Sequence, residues 1–227
     1  MKAERKNNRE RILDAAERQF AKLGFFGTSL RDIARTAGVD VALISYHFGK
    51  KQELFDAVML RRAEILNAER QQMLEAAQRR HAPNPPPIEE IIDAFTHALL
   101  NRSTKGGEGW RSYFALIAQV NNHPQWGGAV MNQYFDPLVY KFLDALRDAL
   151  PGCDERDLFW CYHFLSGALT LTFAETGRID KLSDGLCNSE DLDDVHERLV
   201  PFISAGFKSV CTPERAARPG ARRGGRR

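Results

Sequence analysis

Apolar residues recur at intervals of three and four through nearly the whole chain, and that period leaves few architectures open. Ile12, Ala16, Phe20 and Leu23 form one such stripe, the pattern of a helix with one buried face. There is no run of alternating apolar and polar residues long enough for a sheet, and no internal repeat. The spacing therefore predicts an all-α chain of about nine helices. They fall near residues 9–23, 29–37, 41–48, 51–80, 88–102, 110–120, 125–150, 154–176 and 190–210. Punctuation supports these limits. Four prolines between Pro83 and Pro87 end the fourth helix, because proline lacks the N–H and clashes with the preceding turn. Gly127, Gly128 and Pro137 make the seventh irregular.

Charge is distributed unevenly. Residues 1–51 hold 11 Lys/Arg against 6 Asp/Glu, residues 52–211 hold 15 against 23, and residues 212–227 hold 6 against 1. A basic head on an acidic body points to a polyanion that meets the head. The tail, 212–227, is rich in Arg, Gly, Pro and Ala and reads as disordered. No apolar run approaches the roughly 18 residues of a membrane span. The N-terminus carries no apolar stretch, so the expected compartment is the cytoplasm. The four cysteines, Cys153, Cys161, Cys187 and Cys211, lack C-x-x-C spacing and are read as reduced thiols.

The second and third helices carry the chemistry. Ser29 and Asp40 stand where N-caps belong, and Ala37-Gly38-Val39 joins the two segments. Gly38 supplies a left-handed backbone and Val39 plugs the corner. Ile33, Ile44 and Phe48 then form a miniature core against the first helix. Such a core would hold the outer face of the third helix rigid, as reading base edges in a major groove requires.

These residues bear a family resemblance. Gly-x-x-Thr-Ser-Leu-Arg-Asp-Ile-Ala-Arg-x-Ala-Gly-Val (24–39) and Ile-Ser-Tyr-His-Phe-Gly-Lys-Lys-x-Glu-Leu-Phe (44–55) resemble the tetracycline-repressor family of bacterial regulators over residues 9–60. The resemblance implies an N-terminal three-helix DNA-binding domain (1–50) and a larger helical domain (51–211) that binds a ligand and dimerises. The linking helix, 51–80, is shared between them. By the same resemblance, Thr28 and Ser29 contact a DNA phosphate. Val41, Ala42, Leu43 and Ser45 face the major groove, Tyr46 and His47 touch backbone or bases, and Lys51 contacts phosphate. Val41, Ala42 and Leu43 are apolar where many members are polar, so the operator sequence is not legible. Lys2, Arg5 and Lys6 could reach a minor groove.

Aromatic residues crowd helices five to eight. Trp110, Phe114, Ile117, Tyr134, Phe135, Leu138, His163 and Phe164 are the candidate walls of a pocket for a hydrophobic or aromatic inducer, though aromatic stripes at helical spacing also make ordinary core. Ser166 and Gly167, with Leu192, Val195, Leu199, Phe202 and Ile203, are the candidate homodimer surface. The implied partner is double-stranded operator DNA, palindromic and released on inducer binding. No cofactor, metal or catalytic motif is present, and H-E-x-x-H, G-x-G-x-x-G, G-x-S-x-G and the P-loop are all missing, so an enzyme is not expected. A ligand-independent, nucleoid-type DNA binder and an activator of the same fold remain the competing readings. A cavity of a few hundred Å³ favours the first reading over the nucleoid-type binder.

Overall fold

A computed structural model describes residues 7–213. The arm residues Lys2, Arg5 and Lys6, and all but the first two residues of the basic tail, lie outside this range. Among the described residues there are eleven helices and no strand: α1 (Asn8–Gly27), α2 (Leu30–Ala37), α3 (Val41–Phe48), α4 (Lys51–His81), α5 (Ile88–Lys105), α6 (Glu108–Asn121), α7 (Gly127–Tyr134), α8 (Asp136–Ala149), α9 (Glu155–Phe173), α10 (Arg178–Leu182) and α11 (Leu192–Val210). No helix among them is long and apolar enough to cross a membrane.

Capping explains where the first three helices begin. The side-chain oxygens of Asn7, Ser29 and Asp40 accept from the backbone N–H groups of Glu10, Asp32 and Ala42 at 2.9, 3.2 and 2.7 Å. Each satisfies a donor that the helix start leaves without a partner. The first helix breaks at Gly24, where φ is 70° and ψ is 172°, a conformation that costs a side-chain-bearing residue dearly. Two helices differ from expectation. The seventh is two, α7 and α8, parted at Phe135. Pro137 cannot donate to a helix continuing from α7, but it is well placed in the first turn of a new one. The short α10 has too few apolar residues to announce itself.

The helices pack as a small N-terminal unit on a larger one. α1 packs against α2, α3 and α4, while α4 runs on to meet α5, α7 and α8. The inner stripes are continuous: Ile12, Ala16 and Phe20 meet Ile33, Ile44, Leu54 and Phe55, all fully buried. α11 lies along α5 and touches α9.

α1 packs broadly on α6, where Gln119 donates to the Ala21 carbonyl, and two further contacts fasten the units together. The first is ionic. Glu17, only 1% exposed, accepts two bonds at 2.9 Å from Arg62, through Nε and Nη2, and a third at 2.9 Å from Arg61. Arg61 also reaches Asp14 at 2.9 Å. Burial alone would lower the Arg61 guanidinium, but the Glu17 and Asp14 carboxylates outweigh it and hold it above its ordinary value. The second is aromatic. Trp126, in the α6–α7 corner, lies 5.6 Å from the ring of Phe25 and 5.3 Å from that of Phe55, in tilted and edge-on geometries that aromatic pairs favour.

Candidate nucleic-acid interface and internal cavity

α2 and α3 are held at a fixed angle by the turn between them. Gly38 sits at φ 64° and ψ 42°, and the N–H of Val39 returns to the carbonyl of Ala34 at 3.1 Å, closing the end of α2 as a glycine-terminated helix normally closes. Arg11 of α1 locks the turn from behind, donating to the carbonyls of Ala37 at 2.7 Å and Gly38 at 3.3 Å. Ile44 and Phe48 point inward from α3. The opposite face carries Ala42, Ser45, Tyr46 and His47, all exposed, with Tyr46 83% exposed. The Tyr46 and His47 rings stand 5.3 Å apart, edge to face. A large aromatic side chain left in water on a rigid short helix is a feature that calls for a partner. Arg31 of α2 and Lys50, two residues after α3, are also exposed.

Four of the residues expected at this face are placed differently. Thr28 is 2% exposed, and its hydroxyl donates to the carbonyls of Gln19 and Gly24 at 3.0 and 2.8 Å. It ties off the broken end of α1, so its side chain cannot serve a phosphate. Val41 and Leu43 are partly buried against the core, which leaves them only the margin of the outer face. Lys51 is half-buried, and its Nζ donates to the carbonyls of Phe25 and Thr28 at 2.9 Å each. It also lies 4.4 Å from the Phe25 ring centroid. Only one ammonium N–H is left over. Ser29 is exposed, with its hydroxyl engaged by Asp32 at 2.5 Å. Arg11 and Lys51 thus serve the scaffold.

Between α4, α5, α6, α8 and α9, with Met131 of α7, lies a mostly apolar cavity of about 60 Å³, room for a few waters. Of the expected wall residues, Phe114, Ile117 and Phe135 line it. The others are elsewhere, for identifiable reasons. Trp110 packs against the Arg62 and Arg102 guanidiniums, 4.6 and 5.2 Å from its ring centroid. Tyr134 is buried toward α4, its carbonyl accepting from Asn67 at 2.7 Å. Leu138 fills core. His163 and Phe164 fall on the outer side of α9, and Phe164 is 58% exposed. The wall has polar members. Asn121 donates to Thr170 at 2.6 Å and to Ser166 at 3.3 Å, so Ser166 belongs to this wall rather than to an outer surface. The unforeseen member is Arg70, 2% exposed. Its signal was in the sequence: Leu66, Arg70 and Leu74 stand four apart, on one inward stripe of α4.

The candidate dimer residues also divide. Leu192, Leu199 and Ile203 are buried, and Val195 is packed against the core, because α11 turns this stripe toward α5. Gly167 and Phe202 face outward. Trp160, Phe164 and Leu171 join them on α9, each more than half exposed. A groove of about 420 Å³ between α9 and α11, lined by Phe164, Phe202, Ala205 and Gly206 among others, connects the two stripes. One potential metal-binding set occurs among the described residues, although none was expected. Asp93, His97 and His196 converge where α5 meets α11, with Asp93 Oδ1 3.0 Å from His196 Nε2 and 3.8 Å from His97 Nδ1. Two imidazoles and a carboxylate suit a divalent transition metal.

Comparison with known proteins decides the family. The sequence pattern for bacterial regulatory proteins of the tetR family matches residues 12–58, and that for the tetracyclin repressor-like C-terminal domain matches residues 93–206. The chain belongs to the tetracycline-repressor family. Among its relatives is the transcriptional dual regulator CecR of Shigella flexneri, 28% identical over 158 residues, which are 68% of this chain and 70% of that protein. The transcriptional regulator SrpR of Pseudomonas putida is 37% identical over 171 residues, 74% of this chain and 64% of its own. A TetR-like transcriptional regulator from Rhodococcus sp. RHA1 shares the fold, with a TM-score of 0.58 and 21% identity over 90% of this chain and 100% of the other. As a member of this family, the chain is a DNA-binding transcriptional regulator built as a helix-turn-helix followed by a larger helical part.

Proposed function

We propose that the chain works as a homodimer that represses transcription by holding a palindromic operator, and that a small molecule bound among α4–α9 releases it. The observation that carries the DNA half is the outer face of α3. Ala42, Ser45, Tyr46 and His47 are exposed together on a helix whose other side is fixed by Ile44 and Phe48. In this reading residues 1–50 are the DNA-binding domain, 51–211 the ligand and dimer domain, and α4 belongs to both. Arg31 and Lys50 supply phosphate contacts beside the groove, whereas the Ser29 hydroxyl gives its proton to Asp32.

The dimer half rests on α9 and α11. Trp160, Phe164, Gly167 and Leu171 on one helix, and Phe202, Ala205, Gly206 and Ser209 on the other, make adjoining outward stripes. Two copies packed face to face would form a four-helix bundle across a two-fold axis. Replacing Phe164 with glutamate would bury a carboxylate at that seam. By sedimentation at micromolar concentration, wild type is expected to run as a dimer and the Phe164→Glu variant as a folded monomer with weakened operator binding. A variant that stayed dimeric would remove this face from the interface.

The ligand half has support on both sides. A cavity of about 60 Å³ is smaller than the few hundred Å³ of a drug-sized site, which favours a ligand-independent binder. The buried arginine in its wall favours the opposite reading. In the proposed release, an arriving ligand displaces Met131 of α7 and Phe135 at the α7–α8 junction. Trp126, one residue before α7, then passes the movement to Phe25 and Phe55 and so to the N-terminal unit. The coupling required is a few kcal/mol at most.

A further inference from the structure

The cavity wall contains a cation without an anion. Arg70 projects from the middle of α4, with 2% of its surface exposed. Its Nε donates to the carbonyl of Phe95 at 3.0 Å. Its guanidinium lies 3.9 Å from the Phe95 ring centroid and 5.6 Å from that of Phe142. Among the described residues no carboxylate pairs with it. The neighbouring arginines differ: Arg61 and Arg62 hold Glu17, and Arg102 holds Glu69. A buried charge without its counter-ion is a costly arrangement, and proline-free, well-packed α4 offers no local reason to keep it.

We propose that the cavity, widened by the displacement of Met131 and Phe135 described above, is a binding site for a small organic carboxylate, its apolar body against Phe114 and Ile117 and its carboxylate on the Nη groups of Arg70. This rests on the ligand-responsive reading above and narrows the ligand from hydrophobic to anionic and amphipathic. The rest of the wall fits that division. Asn121 donates to the Ser166 and Thr170 hydroxyls, and the Tyr113 hydroxyl donates to the Met59 carbonyl at 3.2 Å. The Ser166 and Thr170 hydroxyls accept in these bonds and keep their own protons to donate, with Tyr162 also in the wall, but the one charged donor there is Arg70. Burial pushes the Arg70 guanidinium down to about 10, which leaves it charged at pH 7. Burial likewise raises the Tyr162 phenol, keeping it a proton donor at that pH. Guanidinium and carboxylate match as a two-point fork, and such a bond strengthens where water is excluded.

The test compares matched pairs: phenylacetate with phenylacetamide, and hexanoate with hexanamide. Each is titrated calorimetrically and by thermal melting into wild type, Arg70→Met and Arg70→Lys. Methionine keeps the length of the side chain and removes the charge. The expected result is that each carboxylate binds wild type at least tenfold more tightly than its amide. In Arg70→Met that preference disappears, and in Arg70→Lys it survives in weakened form. If Arg70→Met fails to fold, the wild-type carboxylate-to-amide ratio decides. Amides binding as well as carboxylates, or Arg70→Met keeping the preference, would overturn the proposal and leave a regulator that answers to neutral ligands. No binding by any of the four would also overturn it. Operator release by a neutral apolar compound would then judge the ligand-responsive reading separately.

Discussion

Replacing Glu17 with alanine is expected to cost about 3–5 kcal/mol of folding stability, the usual penalty for removing one partner of a buried ion pair. Glu17 is 1% exposed and holds Arg61 and Arg62 through three bonds of 2.9 Å. Its loss leaves Arg62, 16% exposed, without a carboxylate beside Arg61, 19% exposed. Arg61 would keep Asp14 at 2.9 Å and Glu10 at 3.3 Å, whereas Arg62 would keep its stacking on Trp110. The change should fall hardest on the seam between α1 and α4, so the N-terminal unit should lose amide-exchange protection first. Chemical denaturation with hydrogen exchange checks both expectations. A loss below about 1 kcal/mol, the range of exposed pairs, would mean that the seam is held by apolar packing alone.

The second large effect is at Tyr46, and its sign is reversed: function should suffer while stability does not. Tyr46 is 83% exposed and its one ring contact is with neighbouring His47. Tyr46→Ala should therefore alter stability by no more than about 0.5 kcal/mol. Removing a groove contact costs roughly 1–3 kcal/mol per site, and a two-fold complex loses it twice. Operator affinity should fall by about a hundredfold or more at fixed salt. Fluorescence anisotropy on operator DNA, beside a melting curve, separates the two readouts. Unchanged affinity would move the DNA-reading face away from Tyr46.

The helix-turn-helix was legible because its signals are local. Caps, a glycine turn and short apolar spacing lie within twenty residues of one another, and Ile33, Ile44 and Phe48 are buried as their spacing requires. What could not be read was which donors the fold would use for itself. Thr28 and Lys51 sit at positions that the resemblance assigns to phosphate, yet both serve the carbonyls left open where Gly24 breaks α1. That demand arises from tertiary geometry, and nothing in residues 24–55 announces it. The larger part was less legible for a related reason. Helices five to nine expected from sequence are apolar on more than one side, so periodicity cannot tell a face toward the core from a face toward a partner. His163 and Phe164 were expected inside and Leu192 and Ile203 outside, and α9 and α11 turn them the other way. Arg70 was readable, since a charge between Leu66 and Leu74 on one stripe is an anomaly at the level of sequence.

The central claim is that two copies of α3 enter successive major grooves of one duplex. Hydroxyl-radical footprinting of the full chain on the DNA flanking its own gene tests it most directly. The account predicts two equal patches of protection centred about 10 base pairs apart, both lost with Tyr46→Ala and with Phe164→Glu. A single patch, or protection that survives the loss of Tyr46, would contradict it.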